Sequence, residues 1–334
     1  MTSKNLGRVL TGAVCVCVSV GLVCWLLSRM DMERARLVLS HARWPWLLAA
    51  LVITCLIPPC STLRWMGVLR AQENLNFGFA SALRAVLMAN VLNTFLPSKA
   101  GDGVKAFYLR KHGGLSRGLG TVIVERAVDL AVLGVLAVTG YFISGAVWGL
   151  IGGSLLLAGV TVIFAGALLL PVDRLPLPAK HLEKLRAMTN AFARWVRDPR
   201  AIIQTILGAA LTWVFAGLTV CFLASALDTG LAWGYAYGVF PLAILAGLIP
   251  VAMSGVGTRD SAFVLLLSTK IPVEEATLIG LGYTVFGYWL LSLISLPAVA
   301  WEIRIFFRER RAERDAAQAT KGTEAKGAAK GTGA

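Results

Sequence analysis

The candidates for chemistry in this chain are charged side chains set in apolar sequence. Glu125, Arg126 and Asp129 open one apolar run; at helical spacing Glu125 and Asp129 share a face, and Arg126 and Asp129 can pair. Asp102 and Lys105 are also spaced to pair, with Lys99 just before them and Arg84 in the preceding apolar stretch. A second group holds Ser254, Arg259 and Asp260. A charge at the centre of a bilayer costs about 2.5–3.5 kcal/mol on insertion scales, so clusters of this kind read as functional by default. Their cations suit an anionic headgroup, and Glu125, Asp129 or Asp260 could carry a proton. The plainer reading makes Glu125 and Arg126 a structural ion pair at the headgroup boundary. Arg64, beside Trp65 at the end of an apolar run, marks the interface rather than a site.

Both groups adjoin breaks in apolar segments. Leu96-Pro97 leads to Gly101-Asp102-Gly103, and Ile249-Pro250 leads to Gly255-Val256-Gly257 and then Arg259-Asp260. A helix broken inside a membrane leaves backbone N–H and C=O groups that lipid cannot satisfy, so a break there implies a covering cavity. Gly101, Gly103, Gly255 and Gly257 can take backbone conformations closed to other residues, and the half-helix after each break presents free N–H groups to an anion. The alternative is an ordinary loop in water.

The elements that must position these residues are membrane helices. Hydrophobic residues make up 57% of the 334 positions and charged ones 15%, with a mean hydropathy of +0.72, which excludes an ordinary soluble domain. The net charge of +14 sits in loops between apolar spans, as membrane topology expects, and does not indicate nucleic-acid binding. The six cysteines fall in apolar runs with no metal-ligand spacing and read as small buried hydrophobes; neither metal nor cofactor is expected. Lys4 and Arg8 before the run 9–27 resemble a signal peptide, but the run is long and has no small-x-small cleavage site, so it reads as an uncleaved first span.

Candidate crossings lie at 9–27, 45–63, 121–143, 150–171, 201–227 and 276–301. Basic residues mark 172–200 and the stretch after Arg304 as cytoplasmic, while the links at 144–149, 228–230 and 268–275 read as external. Residues 98–118, with Lys99, Lys105, Arg110, Lys111 and Arg117, then return to the cytoplasmic side, and 231–268 starts and ends outside. One conflict remains in the arginines at 29, 34, 36 and 43, whose loop this scheme puts outside. The resulting fold class is an all-α integral membrane protein of about six transmembrane helices plus two oppositely oriented re-entrant hairpins. Repeat one spans about 9–143 and repeat two about 150–301. This inverted repeat is the architecture of many transporters. Residues 306–334 read as a disordered cytoplasmic tail, with both termini inside.

Three segments carry a family resemblance: Asn93-Thr-Phe-Leu-Pro97-Ser-Lys-Ala-Gly101-Asp102, Val124-Glu125-Arg126-Ala-Val-Asp129, and Ile249-Pro250 with Ser254-Gly-Val-Gly257-Thr-Arg259-Asp260. In this order they resemble the lysylphosphatidylglycerol synthase transmembrane-domain family, also called flippase-like, over about residues 9–305. The resemblance implies a bacterial inner-membrane protein that translocates lipid, and adds Asn93 to the candidate site. Two departures stand out. Gly101-Asp102 and Arg259-Asp260 replace the family's usual Gly-Glu and Arg-Glu, keeping charge with a shorter reach. After Phe307 only a Lys-, Ala- and Gly-rich stretch follows, so the soluble aminoacyl transferase domain, and its activity, are not expected here.

The leading expectation is a flippase or transporter for an anionic, aminoacylated or polyprenyl-linked lipid. One alternative is an intramembrane transferase of lipid-linked glycans, which would need Asp102 and Asp260 to meet for metal or general-base chemistry. Another is a scaffold or accessory protein partnered with a lipid-modifying enzyme. The sequence leaves the oligomeric state open.

Overall fold

The computed structural model describes residues 3–72, 77–96, 100–109, 115–176, 178–249, 251–305 and 308, with the side chains of 3–13, 115 and 173 left out of the description. The helices are α1 (Ser3–Ser28), α2 (Met32–Ser40), α3 (Trp44–Arg70), α4 (Phe79–Phe95), α5 (Gly103–Tyr108), α6 (Leu115–Ser144), α7 (Val147–Leu169), α8 (Ala179–Arg197), α9 (Pro199–Ala226), α10 (Trp233–Ala246), α11 (Thr258–Leu267) and α12 (Val273–Ile305). Helix α12 contains a π-helical segment, Val285–Leu290.

Among the described residues, α3, α7, α9 and α12 are long and apolar enough to cross a bilayer, and α1 with α2 would make a fifth crossing if the bent pair is one span. By length and composition this counts four or five candidate spans beside the about six expected. The first predicted crossing is one limb of that pair, which bends by 87° where Asp31 caps α2 by accepting from the N–H groups of Glu33 and Arg34. The predicted 121–143 crossing lies within α6, whose first half holds the charged triplet.

The centre of the molecule is the α3–α9 pair, the most extensive helix contact. Small residues make it possible. A β-carbon on Gly208 would lie 2.4 Å from the Arg64 backbone nitrogen, and one on Gly67 would lie 2.5 Å from Thr205 Oγ1. Close backbone approach through small residues is how membrane helices pack when hydrophobicity alone supplies no drive between them. We expect Gly208→Leu to push α9 off α3 and lower stability by about 1–3 kcal/mol, the usual cost of overpacking. A thermal melt of the purified protein in detergent would read this out.

Both glycine-broken segments fold as two short helices. Helices α4 and α5 pack on each other across the break at 96–102, and α10 and α11 do so across 247–257. Pro97, Ser98, Lys99, Pro250 and the tail other than Arg308 lie outside the described residues. The contacts repeat between halves: α5 packs on α6 as α11 packs on α12, and α6 meets α10 while α12 meets α4.

The link between α2 and α3 meets the link between α9 and α10. The Arg43 N–H donates to the Ala226 carbonyl at 2.8 Å, Arg43 pairs with Asp228 at 2.7 Å, and α2 packs on the start of α12. The loop whose arginines conflict with an external assignment thus lies beside the 228–230 link. At the other end, Gln72 Nε2 donates to the Ala191 carbonyl of α8 at 3.2 Å.

The cysteines need a correction. All six are free, but only Cys15, Cys60 and Cys221 are buried; Cys17, Cys24 and Cys55 are on the outer surface. In a protein whose solvent is lipid, an apolar run marks the outside as readily as the core.

Candidate functional site

The first polar group is a buried network on α3, α5 and α6. Glu125, fully buried on α6, accepts from three cations. Arg64 Nε and Nη2 reach its Oε1 at 2.8 and 2.5 Å, Lys105 Nζ lies 2.9 and 3.0 Å from its two oxygens, and Arg126 Nη2 is 3.3 Å from Oε1. Asp129 accepts from Arg64 Nη1 at 2.6 Å and from the Trp213 indole N–H of α9 at 2.9 Å, both at Oδ1, while its Oδ2 forms an ion pair with Arg126 Nη2 at 2.9 Å. Asp102 completes the set, 3.5 Å from both Lys105 Nζ and Arg126 Nε and accepting from Asn93 Nδ2 at 3.2 Å. Lys105 also lies 5.8 Å from the centre of the Trp65 ring, within cation–π range. Arg64, Lys105 and Arg126 thus face Asp102, Glu125 and Asp129, a neutral balance that a low-dielectric interior requires.

Local sequence explains half of this assembly. The pairs Asp102–Lys105 and Arg126–Asp129 form at the spacing expected of a helical face. The return of Asp102 to α4 depends on Gly101, where a β-carbon would lie 2.5 Å from the Asn93 backbone nitrogen. Arg64 is not the interface residue that its neighbour Trp65 suggests. It is 3% exposed and bonds to both Glu125 and Asp129, with Ser61 Oγ accepting from its Nη2 at 2.7 Å. Sequence reasoning also missed Trp213. The available signal was the excess of carboxylates over cations on one face of 125–129, which calls for a cation from elsewhere.

The second group surrounds Arg259 and Asp260 at the start of α11, both fully buried. Asp260 accepts from the Gly257 N–H at 2.9 Å and from the Thr284 hydroxyl at 2.7 Å, and stands 3.5 Å from Arg259 Nη2. Arg259 also donates to Thr284 Oγ1 and to the Ser254 carbonyl at 3.2 Å. Its guanidinium lies 4.0 Å from the centre of the Tyr288 ring and 5.3 Å from that of Tyr283. The turn before it has φ of +55° at Ser254, +73° at Gly255 and +87° at Gly257. A β-carbon on Gly257 would stand 2.6 Å from Leu22 Cβ of α1. Gly257→Ala should therefore cost about 1–3 kcal/mol through backbone strain alone, visible as a lowered unfolding midpoint.

Between the groups lies a cavity of about 90 Å³, room for several waters. Arg64, Asn93, Asp102, Lys105 and Arg126 line one side, and Tyr283, Gly287 and Tyr288 of α12 the other. Arg259 and Asp260 stand behind the tyrosines and Glu125 behind the cations, so none of the three is in the lining. Arg84 is separate: it bonds to Glu302 of α12 at 2.5 Å and to Ser81. Open space surrounds the position a β-carbon would take on Gly103, whereas one on Gly255 would press on Gly247. Lys99 is outside the described residues. Asp102 and Asp260 belong to different networks.

A bundle of apolar helices with an ion network enclosed between them defines a multi-pass integral membrane protein with an internal polar site. The chain belongs to the family described as the lysylphosphatidylglycerol synthase TM region, whose model matches residues 12–295. A UPF0104 membrane protein of Methanothermobacter thermautotrophicus is 22% identical over 326 residues, covering 87% of this chain and 95% of the relative. Two UPF0104 membrane proteins of Methanocaldococcus jannaschii are similar, one 22% identical over 324 residues with the same coverage, the other 26% identical over 220 residues, covering 60% of this chain and 90% of the relative.

Proposed function

We propose that this protein moves a lipid with an anionic headgroup between the leaflets of a membrane, with the headgroup passing through the cavity between the two polar groups. The observation that carries the reading is the convergence of Arg64, Lys105 and Arg126 on one cavity, each already held by carboxylates. A phosphate could exchange places with a carboxylate at Arg126, the most exposed of the three cations with its side chain 27% accessible. An aminoacylated headgroup would also find Asp102 for its ammonium, and a polyprenyl phosphate would use the cations alone.

The cavity at about 90 Å³ is too small for a phospholipid headgroup, so transport requires opening. The wall between α4 and α12 suits that role. It is closed by polar links rather than by a packed apolar core: Arg84 to Glu302, Thr94 to Ser292, and Ser292 Oγ to the Asn90 carbonyl at 3.4 Å. Interhelical hydrogen bonds in membranes average about 0.6 kcal/mol each, and the π segment of α12 lies on this wall. Such segments interrupt regular helix bonding and recur at functional sites.

In this reading the α4–α5 and α10–α11 units are re-entrant hairpins of opposite orientation in an inverted repeat. The matching contacts between halves support it, as does the grouping of predicted external links at one end. Both termini then face the cytoplasm, and the membrane is a plasma membrane. The test is transbilayer movement of labelled lipids in liposomes holding the purified protein. Faster movement of anionic or aminoacylated lipids than in empty liposomes is the expected result; no movement of any lipid by folded protein would sink the reading.

A further inference from the structure

Arg84 and Glu302 lie outside the central cavity but on the seam that closes it. Helix α4 gives Asn90 and Asn93 to the cavity lining, and α12 gives Gly287, Tyr288 and Leu291. From there α12 continues as residues 291–305, and this second half is held differently from the first. Ala276, Ile279 and Tyr283 of the first half belong to the main apolar cluster. Among the described residues, none of the three apolar clusters includes any of 291–305. Toward α4 the second half presents Ser292, Ser295 and Glu302, whose spacing puts them on one helical face. Leu293, Ile294 and Trp301 point away and are exposed. Two features weaken its tie to the rest of α12: the π segment before it, a common site of helix bending, and Pro297 within it, which has no N–H for the Leu293 carbonyl.

The link farthest from the cavity along this half is the Arg84–Glu302 pair, at 2.5 Å. Trp301 is exposed beside it and Arg304 follows, residue types that gather where a membrane helix meets the headgroups. The pair therefore stands at headgroup depth. Arg84 is the more open member, its side chain 32% accessible against 14% for Glu302. Its Nε serves Glu302 and its Nη2 donates to Ser81 at 3.1 Å. A guanidinium has five N–H groups, so others remain for an added oxyanion without removing either partner. The Tyr108 hydroxyl of α5 also reaches Glu302, which keeps the carboxylate a donor if Arg84 turns to another anion.

We infer that the phosphate of a membrane lipid docks on Arg84 and unlatches the second half of α12, opening a side portal to the cavity. The inference rests on the transport reading above, to which it adds the entry step. A ligand shifts an equilibrium only by binding one state better than the other. In the closed state the phosphate shares Arg84 with Glu302, and the two anions repel each other. In the open state the phosphate has Arg84 to itself. Phosphate therefore favours opening, whereas a lipid without phosphate gains nothing at Arg84 and leaves the latch shut. The acyl chains stay outside against Leu293 and Ile294, a surface that a soluble phosphate ester cannot use.

Hydrogen exchange of the purified full chain in a neutral detergent tests this, because exchange at the backbone N–H groups of 291–305 reports loosening of this half whether or not lipid crosses a membrane. Phosphatidylglycerol should speed that exchange several-fold, while diacylglycerol, which lacks the phosphate, and glycerol phosphate, which lacks the chains, should not. Glu302→Gln and Arg84→Gln should each exchange fast with no lipid added. The swapped pair R84E/E302R should return to slow exchange, which mere structural damage at either position would not allow. Arg126→Gln, which alters the cavity and not the latch, should respond to phosphatidylglycerol as the unaltered protein does. No response to phosphatidylglycerol, an equal response to diacylglycerol or glycerol phosphate, slow exchange in both single latch variants, fast exchange in the swapped pair, or a response lost in Arg126→Gln would each overturn the inference. The expected pattern in a protein that moves no lipid in liposomes would uphold the docking step and sink the transport reading alone.

Discussion

Glu125→Gln should destabilise the protein by about 3–5 kcal/mol, the range seen when one partner of a buried ion pair is removed. The size follows from position rather than from any single contact. Glu125 is fully buried and accepts from Arg64, Lys105 and Arg126. The glutamine has the same shape, but it leaves one uncompensated positive charge in a low dielectric and turns an amide NH2 toward cations that can only donate. Lys105→Met alone strands negative charge in the same place. The double variant Glu125→Gln/Lys105→Met restores neutrality, so it should lose clearly less stability than the sum of the two single changes, by about 1–3 kcal/mol of coupling. Unfolding midpoints of the four proteins in detergent measure this cycle. Additive losses would mean that the network is solvated and that Glu125 is not its centre.

Arg126→Gln should act on transport more than on folding. Each carboxylate that Arg126 touches has another cation: Asp102 and Glu125 have Lys105, and Asp129 has Arg64. Its side chain is also the most accessible in the network, so water can replace part of what is lost. If Arg126 is where the headgroup first exchanges with a carboxylate, lipid movement in liposomes should fall at least about tenfold, equivalent to about 1.4 kcal/mol on the barrier, while the melting temperature changes little. Arg126→Lys should fall between the two, because an ammonium keeps the charge but not the planar fork that grips phosphate with two parallel bonds. Unchanged transport by a folded Arg126→Gln protein would remove the cavity from the lipid path.

The wall between α4 and α12 connects these predictions to movement. Arg84 has no place in the cavity lining, yet its bond to Glu302 ties the first broken segment to the last helix. Its charge near the membrane was visible in the sequence, but its partner 218 positions away was not. The same division appears on α3, where an arginine beside a tryptophan reads as an interface anchor. Arg64 is buried instead because Gly208 lets α9 close over its backbone and α6 brings two carboxylates to its head.

Taken alone, the sequence determined what depends on neighbours along the chain. Apolar runs long enough for a bilayer specify membrane helices, helical spacing pairs Asp102 with Lys105 and Arg126 with Asp129, and the glycine pairs mark where helices break, with positive φ at Gly255 and Gly257. Tertiary structure decided what depends on distant partners: the burial of Arg64, the contribution of Trp213 and the tyrosines, and the cavity between the two polar groups. It also decided which apolar residues face protein and which face lipid, as at the six cysteines. The physical reason is that in a bilayer both environments are apolar, so hydropathy tells a residue's depth but not its side. A buried charge, by contrast, must find a partner wherever the fold can bring one.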